Sequence, residues 1–141
     1  MAIKIVGNIN TGILKSRIVS NIYMTDSEGA VEGAAYKLSS RRWTLAATTD
    51  RIYAVCRKAA GAGTDVLTQM ELIKDGDILE IDYTGTPNVA FEPGLEAAVL
   101  DATGLLVNAA TVSGGHLLIL EKDTVNAKVK CVAIKNFGNA S

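Results

Sequence analysis

The chain has 141 residues, a length that fits one domain, with 48% apolar residues, 21% charged residues and a formal net charge of −1. This composition excludes an intrinsically disordered chain, and the near-neutral balance speaks against a broad nucleic-acid-binding surface. No apolar run approaches the ~18 residues of a membrane span, and the opening MAIKIVGNIN lacks a charged leader followed by an apolar core, so the expectation is a soluble, cytoplasmically made protein with no membrane contact.

Residues 1–25 read as an extended N-terminal arm. GNINTGILKSRIVSNI is rich in Gly, Asn, Thr and Ser with isolated Ile and Leu, too few apolar residues to fold alone. The β-branched residues of AIKIVGNI suit strand addition to a neighbour's sheet edge. Ile3, Ile5, Ile9 and Ile13 are therefore candidate partner-binding residues; an ordinary edge strand and loop is the alternative.

Residues 26–141 read as a β-domain. Short β-prone runs fall near 30–38, 43–48, 52–57, 66–73, 78–83, 97–100, 104–107, 117–121 and 128–135, after earlier ones at 3–6 and 18–24. DSEG, GAG, KDGD, TGTPN, DATG and SGG separate them as turns. This spacing predicts a small, single-domain all-β fold, a β-sandwich or barrel-like body carrying the arm. GLEAAVLDA (94–102) is read as two short strands, with one helical turn as the alternative.

The stretch ELIKDGDILEIDYTG holds five carboxylates: Glu71, Asp75, Asp77, Glu80 and Asp82. Over 78–83 alternation puts Leu79, Ile81 and Tyr83 on one face and Ile78, Glu80 and Asp82 on the other. KDGD supplies a turn in which Gly76 takes positive φ. The four acids from Asp75 onward are expected to be structural and solvent-facing. A calcium loop would need oxygen ligands where DGDILEIDYTGT places apolar residues, so no metal is expected. GDILEIDYTG is superficially similar to the GxIDxxYxG motif of trimeric dUTP nucleotidohydrolases. Leu79, however, stands where that family has its Asp, and Tyr83 falls one residue late.

Other chemistry is sparse. Cys56 and Cys131 lie in apolar runs without zinc spacing and read as buried, reduced thiols. His116, the single histidine, follows a glycine turn with no GxSxG nearby, and no glycine run has phosphate-loop spacing. YKLSSRRW and DRIYAVCRK mix basic and aromatic residues, yet the chain has few aromatics, so direct nucleic-acid contact is not expected. No catalytic residues and no cofactor are assigned, which leans the reading toward a binding or structural role. Residues 1–60 carry nine basic residues against four acids, a balance of +5; residues 61–141 carry five against eleven, a balance of −6. Such a split suits a binding arm or subunits that attract head to tail, or is accidental if the fold interleaves the halves. Arg41 and Arg42 are candidates to meet an acidic partner surface.

RIYAVCRKAAGAGTDVLTQMELIKDGDILEIDYTG, FEPGLEAAVLDATGLLV and GGHLLILEKDTVNAKVKCVAIKNF follow one another in an order that resembles the head-decoration (cement) proteins of tailed bacteriophages. The resemblance covers roughly 45–137 and the arm-like start. It implies a homotrimer on the outer capsid surface of the virion that clamps neighbouring major capsid proteins, with no enzymatic activity and no cofactor. The alternatives are an oligomeric β-module that binds a host or cell-surface ligand and a small trimeric nucleotide-hydrolase-like enzyme.

Overall fold

The computed structural model describes residues 2–8, 17–74 and 76–133, and among them it contains ten strands in two sheets and no helix. The strands are β1 (Lys4–Asn8), β2 (Ile18–Val19), β3 (Ala35–Ser39), β4 (Arg42–Leu45), β5 (Ala54–Cys56), β6 (Met70–Leu72), β7 (Asp77–Thr84), β8 (Val107–Asn108), β9 (Leu118–Asp123) and β10 (Lys128–Val132). Sheet A runs β1-β7-β10-β9, with β8 parallel to the end of β7; sheet B runs β2-β6-β5-β3-β4. All other strand pairs are antiparallel.

The alternation expected over 78–83 organises sheet A. Leu79 and Ile81 are buried, while Ile78, Glu80 and Asp82 are partly exposed on the opposite face. Gly76 takes φ +87° in the turn that precedes β7. The run 97–100 contributes isolated pairs, Ala98 with Leu117 and Leu100 with Val107, and no helical turn.

Sheet B curls until its edges meet through residues 22–25. Met24 N donates to Val66 O at 2.8 Å, beside an antiparallel Tyr23–Leu67 pair. On the other side Trp43 N donates to Tyr23 O at 3.0 Å, and Thr25 N donates to Trp43 O at 2.9 Å. The segment thus satisfies the backbone of β4 and of the run entering β6, which leaves neither edge open at that level.

Period-two alternation lets sheet B serve two cores. Val55 and Ala35 face sheet A and pack with Leu79, Ile81, Ile119 and Val129. Their neighbours Ala54, Cys56 and Tyr36 face the other way, with Trp43, Met24 and Met70. The two thiols are free, buried, and in different cores.

The arm assignment needs correction where the chain is described. Residues 4–8 pair with β7 of the same subunit, and Ile3 and Ile5 are buried in the core between the sheets. Apolar side chains spaced two apart next to a long, half-buried strand gain more by completing its sheet than by waiting for a partner. Ile3 and Ile5 are therefore core residues, not partner-facing ones. Ile9 and Ile13 lie outside the described residues, as does Asp75.

Candidate functional site: an arginine-bearing hairpin tip

Two of the residues singled out in the sequence, Arg41 and Arg42, come together at the tip of the β3–β4 hairpin. Ser39 pairs with Arg42, so only Ser40 and Arg41 form the turn. Their φ values are +51° and +66°. Positive φ at both central positions defines a type I′ turn, which matches the twist of the flanking strands and ordinarily carries Asn-Gly. Ser and Arg each pay about 1–2 kcal/mol to sit there. The turn is held by four backbone-paired positions on each side, from Tyr36–Leu45 to Ser39–Arg42.

The two arginines have different jobs. Arg42 is engaged within its own subunit: Nη1 donates to Met24 O at 2.9 Å and to Asp26 Oδ1 at 3.2 Å, and Nη2 donates to Asp65 Oδ1 at 2.7 Å. Its guanidinium also lies 5.3 Å from the centre of the Tyr23 ring, within cation–π range. The Asp65 hydrogen bond is the main reason its pKa is raised. Arg42 is thus a staple between the hairpin and the segments around 24–26 and 65. Arg41 is exposed and has no ion pair among the described residues. Tyr23, Ser40, Arg41 and Arg42 border a shallow depression of about 240 Å³. Tyr23 is 43% exposed, so the tip sets a half-exposed ring, with Arg42 over one face, beside the exposed Arg41 guanidinium.

For the charge split, the structure favours the interleaved alternative. Arg17–Asp77 at 2.8 Å, Arg42–Asp65 at 2.7 Å and Arg57–Glu71 at 2.6 Å join the basic half to the acidic half inside one subunit. The fold interleaves the halves, so much of the asymmetry is spent internally and not presented to a neighbour.

The acids of ELIKDGDILEIDYTG divide. Asp82 is ion-paired with Lys128 at 2.6 Å and is partly exposed, and Glu80 is partly exposed on the same face. Asp77 was expected in solvent but is 1% exposed, which corrects that expectation. Its Oδ1 accepts from Asn8 Nδ2 at 2.8 Å, and its Oδ2 accepts from Arg17 Nη2 and from the Lys74 backbone N, both at 2.8 Å. A buried carboxylate needs this kind of compensation. Asp77 joins the end of β1, the residue entering β2 and the turn before β7, a structural knot that sequence distance concealed.

A second depression of about 260 Å³ lies on the outer face of sheet A, between residues of β7, β9 and β10. Its charges are of both signs, and Lys130 pairs with Glu121 at 3.7 Å. Among the described residues no three His, Cys, Asp or Glu side chains converge as a metal site. His116 is partly buried immediately before Leu117, which pairs with Ala98. No helix among the described residues is long and apolar enough to cross a membrane. No protein-family model, no curated protein and no solved structure matches this chain.

Proposed function

We propose that this chain is a structural virion protein that decorates a phage capsid on its outer surface and clamps neighbouring major capsid proteins, acting as a homotrimer and without catalysis. The single observation that carries the reading is the Ser40–Arg41 turn: a strained, well-anchored tip that holds the exposed Arg41 guanidinium, without an ion pair among the described residues, beside Tyr23. Backbone strain retained in a hairpin whose sequence could have been Asn-Gly points to a use for the side chain. A rigid tip spends little entropy on docking, and Arg and Tyr are the side chains that most often dominate protein–protein contacts. The resemblance to decoration proteins supplies the class of partner: an acidic patch on the capsid protein.

Co-sedimentation with undecorated heads over a salt series tests this reading. Arg41→Glu weakens binding and flattens its salt dependence, because an exposed ion pair is screened over ~10 Å at 0.1 M salt. Binding by Arg41→Glu as tight as that of wild type, at every salt concentration, rules out the tip as the contact.

A further inference from the structure

Two guanidiniums border the depression at the hairpin tip, together with Tyr23 and Ser40. They are in opposite states. Arg41 is exposed and has no ion pair among the described residues. Arg42 is bound by three acceptors: its Nη1 donates to Met24 O at 2.9 Å and to Asp26 Oδ1 at 3.2 Å, and its Nη2 donates to Asp65 Oδ1 at 2.7 Å. The two aspartates are also tied to each other, because Asp65 N donates to Asp26 Oδ1 at 3.0 Å.

Holding the hairpin does not account for two carboxylates. Asp26 and Asp65 side chains are each 53% exposed, and ion pairs as exposed as these contribute little to stability. Backbone bonds already fix the same segment: Thr25 N donates to Trp43 O at 2.9 Å, and Ser27 N donates to Gly63 O at 2.8 Å. The larger effect of the aspartates is on charge. Arg41, Arg42, Asp26 and Asp65 together carry no net charge, while the Arg41 fork of N–H donors stays exposed.

This arrangement discriminates between anions. A single carboxylate can meet the Arg41 fork with two parallel hydrogen bonds. A polyanion brings further charges close behind the first. A nucleic-acid strand carries one roughly every 3.4 Å of helix axis. Several phosphates therefore share the ~10 Å over which exposed charges act at 0.1 M salt, and those beyond Arg41 meet the two aspartates on Arg42. Repulsive groups of this kind set specificity as much as attractive ones do. We infer that Asp26 and Asp65 are specificity-determining residues: they neutralise Arg42, so that the tip takes one carboxylate of a protein partner through Arg41 and rejects polyanions. This rests on the protein contact in the proposed function and names the chemistry which that contact selects.

Fluorescence anisotropy of a labelled single-stranded oligonucleotide at low salt tests it, with the isolated full chain as wild type and as Asp26→Asn/Asp65→Asn. Asn keeps an oxygen that can accept from Arg42 and removes the charge. The expected result is weak binding by the wild type and a dissociation constant lowered roughly tenfold or more in the double variant, about 1.4 kcal/mol or greater, with an unchanged circular dichroism spectrum. Arg42→Gln in the same background reverses the gain. Glu80→Gln/Glu121→Gln, an equal change in net charge placed on β7 and β9 of sheet A, leaves binding as weak as in the wild type. If the double variant fails to fold, Asp26→Asn alone carries the test. A wild type that binds as tightly as the double variant overturns the inference. So does a folded variant without the gain, a gain that survives Arg42→Gln, or one that the sheet A variant shares equally. A wild type that discriminates in this way yet never binds heads removes the capsid reading and leaves the selectivity of the tip standing.

Discussion

Arg17 Nη2 donates to Asp77 Oδ2 at 2.8 Å, across 60 positions of sequence, with the two side chains 13% and 1% exposed. Because the carboxylate is also held by Asn8 and the Lys74 backbone, its replacement strands three donors at once. Asp77→Ala is expected to cost about 3–5 kcal/mol, the range for breaking a buried pair from one side. Asp82→Asn, which removes a partly exposed partner of Lys128, should move the denaturation midpoint little. Urea unfolding of both variants checks the contrast, and comparable losses would show that burial of Asp77 is not the deciding factor.

Gly115 marks a close approach that tolerates no side chain. A Cβ built there lies 1.7 Å from Ala98 O, whereas one at Gly61 meets nothing within 4 Å. Gly115→Ala is expected to cost about 3 kcal/mol or more, since backbone must move. Gly61→Ala should be neutral or stabilise by up to about 1 kcal/mol through the unfolded chain. Thermal unfolding of the two variants decides it.

The hairpin tip should show stability and binding moving in opposite directions. Replacing Ser40-Arg41 by Asn-Gly gives the turn the residues its φ values favour and should stabilise the protein by about 1–2 kcal/mol. The same replacement removes the exposed guanidinium and should weaken attachment to heads. A variant that is both more stable and equally well bound would mean that the strain serves no contact.

The buried thiols should be chemically silent. Burial pushes the Cys131 thiol from its ordinary 9.0 up to about 12 and also raises Cys56. Neither should react with iodoacetamide at pH 8 until the protein unfolds. Because the folded pKa of Cys131 lies above the unfolded value, the unfolded state loses its proton first. The associated stability is full below pH 9 and declines as pH rises from about 9 toward 12. Alkylation kinetics and unfolding midpoints at pH 8 and pH 10 measure both effects.

Local features of this fold were legible in the sequence, and long-range pairings were not. The 78–83 alternation, the Gly76 turn and the succession of short strands follow from residue spacing alone. Ile3 and Ile5 were misleading because the strand that buries them, β7, begins more than 70 residues later. Asp77 looked like a turn residue because two of its partners, Asn8 and Arg17, are 69 and 60 residues away. At the tip, SSRR flanked by β-prone runs announced basic side chains near a strand. It could not show that Arg42 is taken up by Asp26 and Asp65 while Arg41 is left to solvent.

Cryo-electron microscopy of undecorated phage heads incubated with the wild-type chain tests the decoration reading most directly. Added density is expected on the outer capsid surface, fitted by the two-sheet body, with the Ser40–Arg41 tip against an acidic patch of the major capsid protein. Heads that remain bare at saturating protein would contradict it.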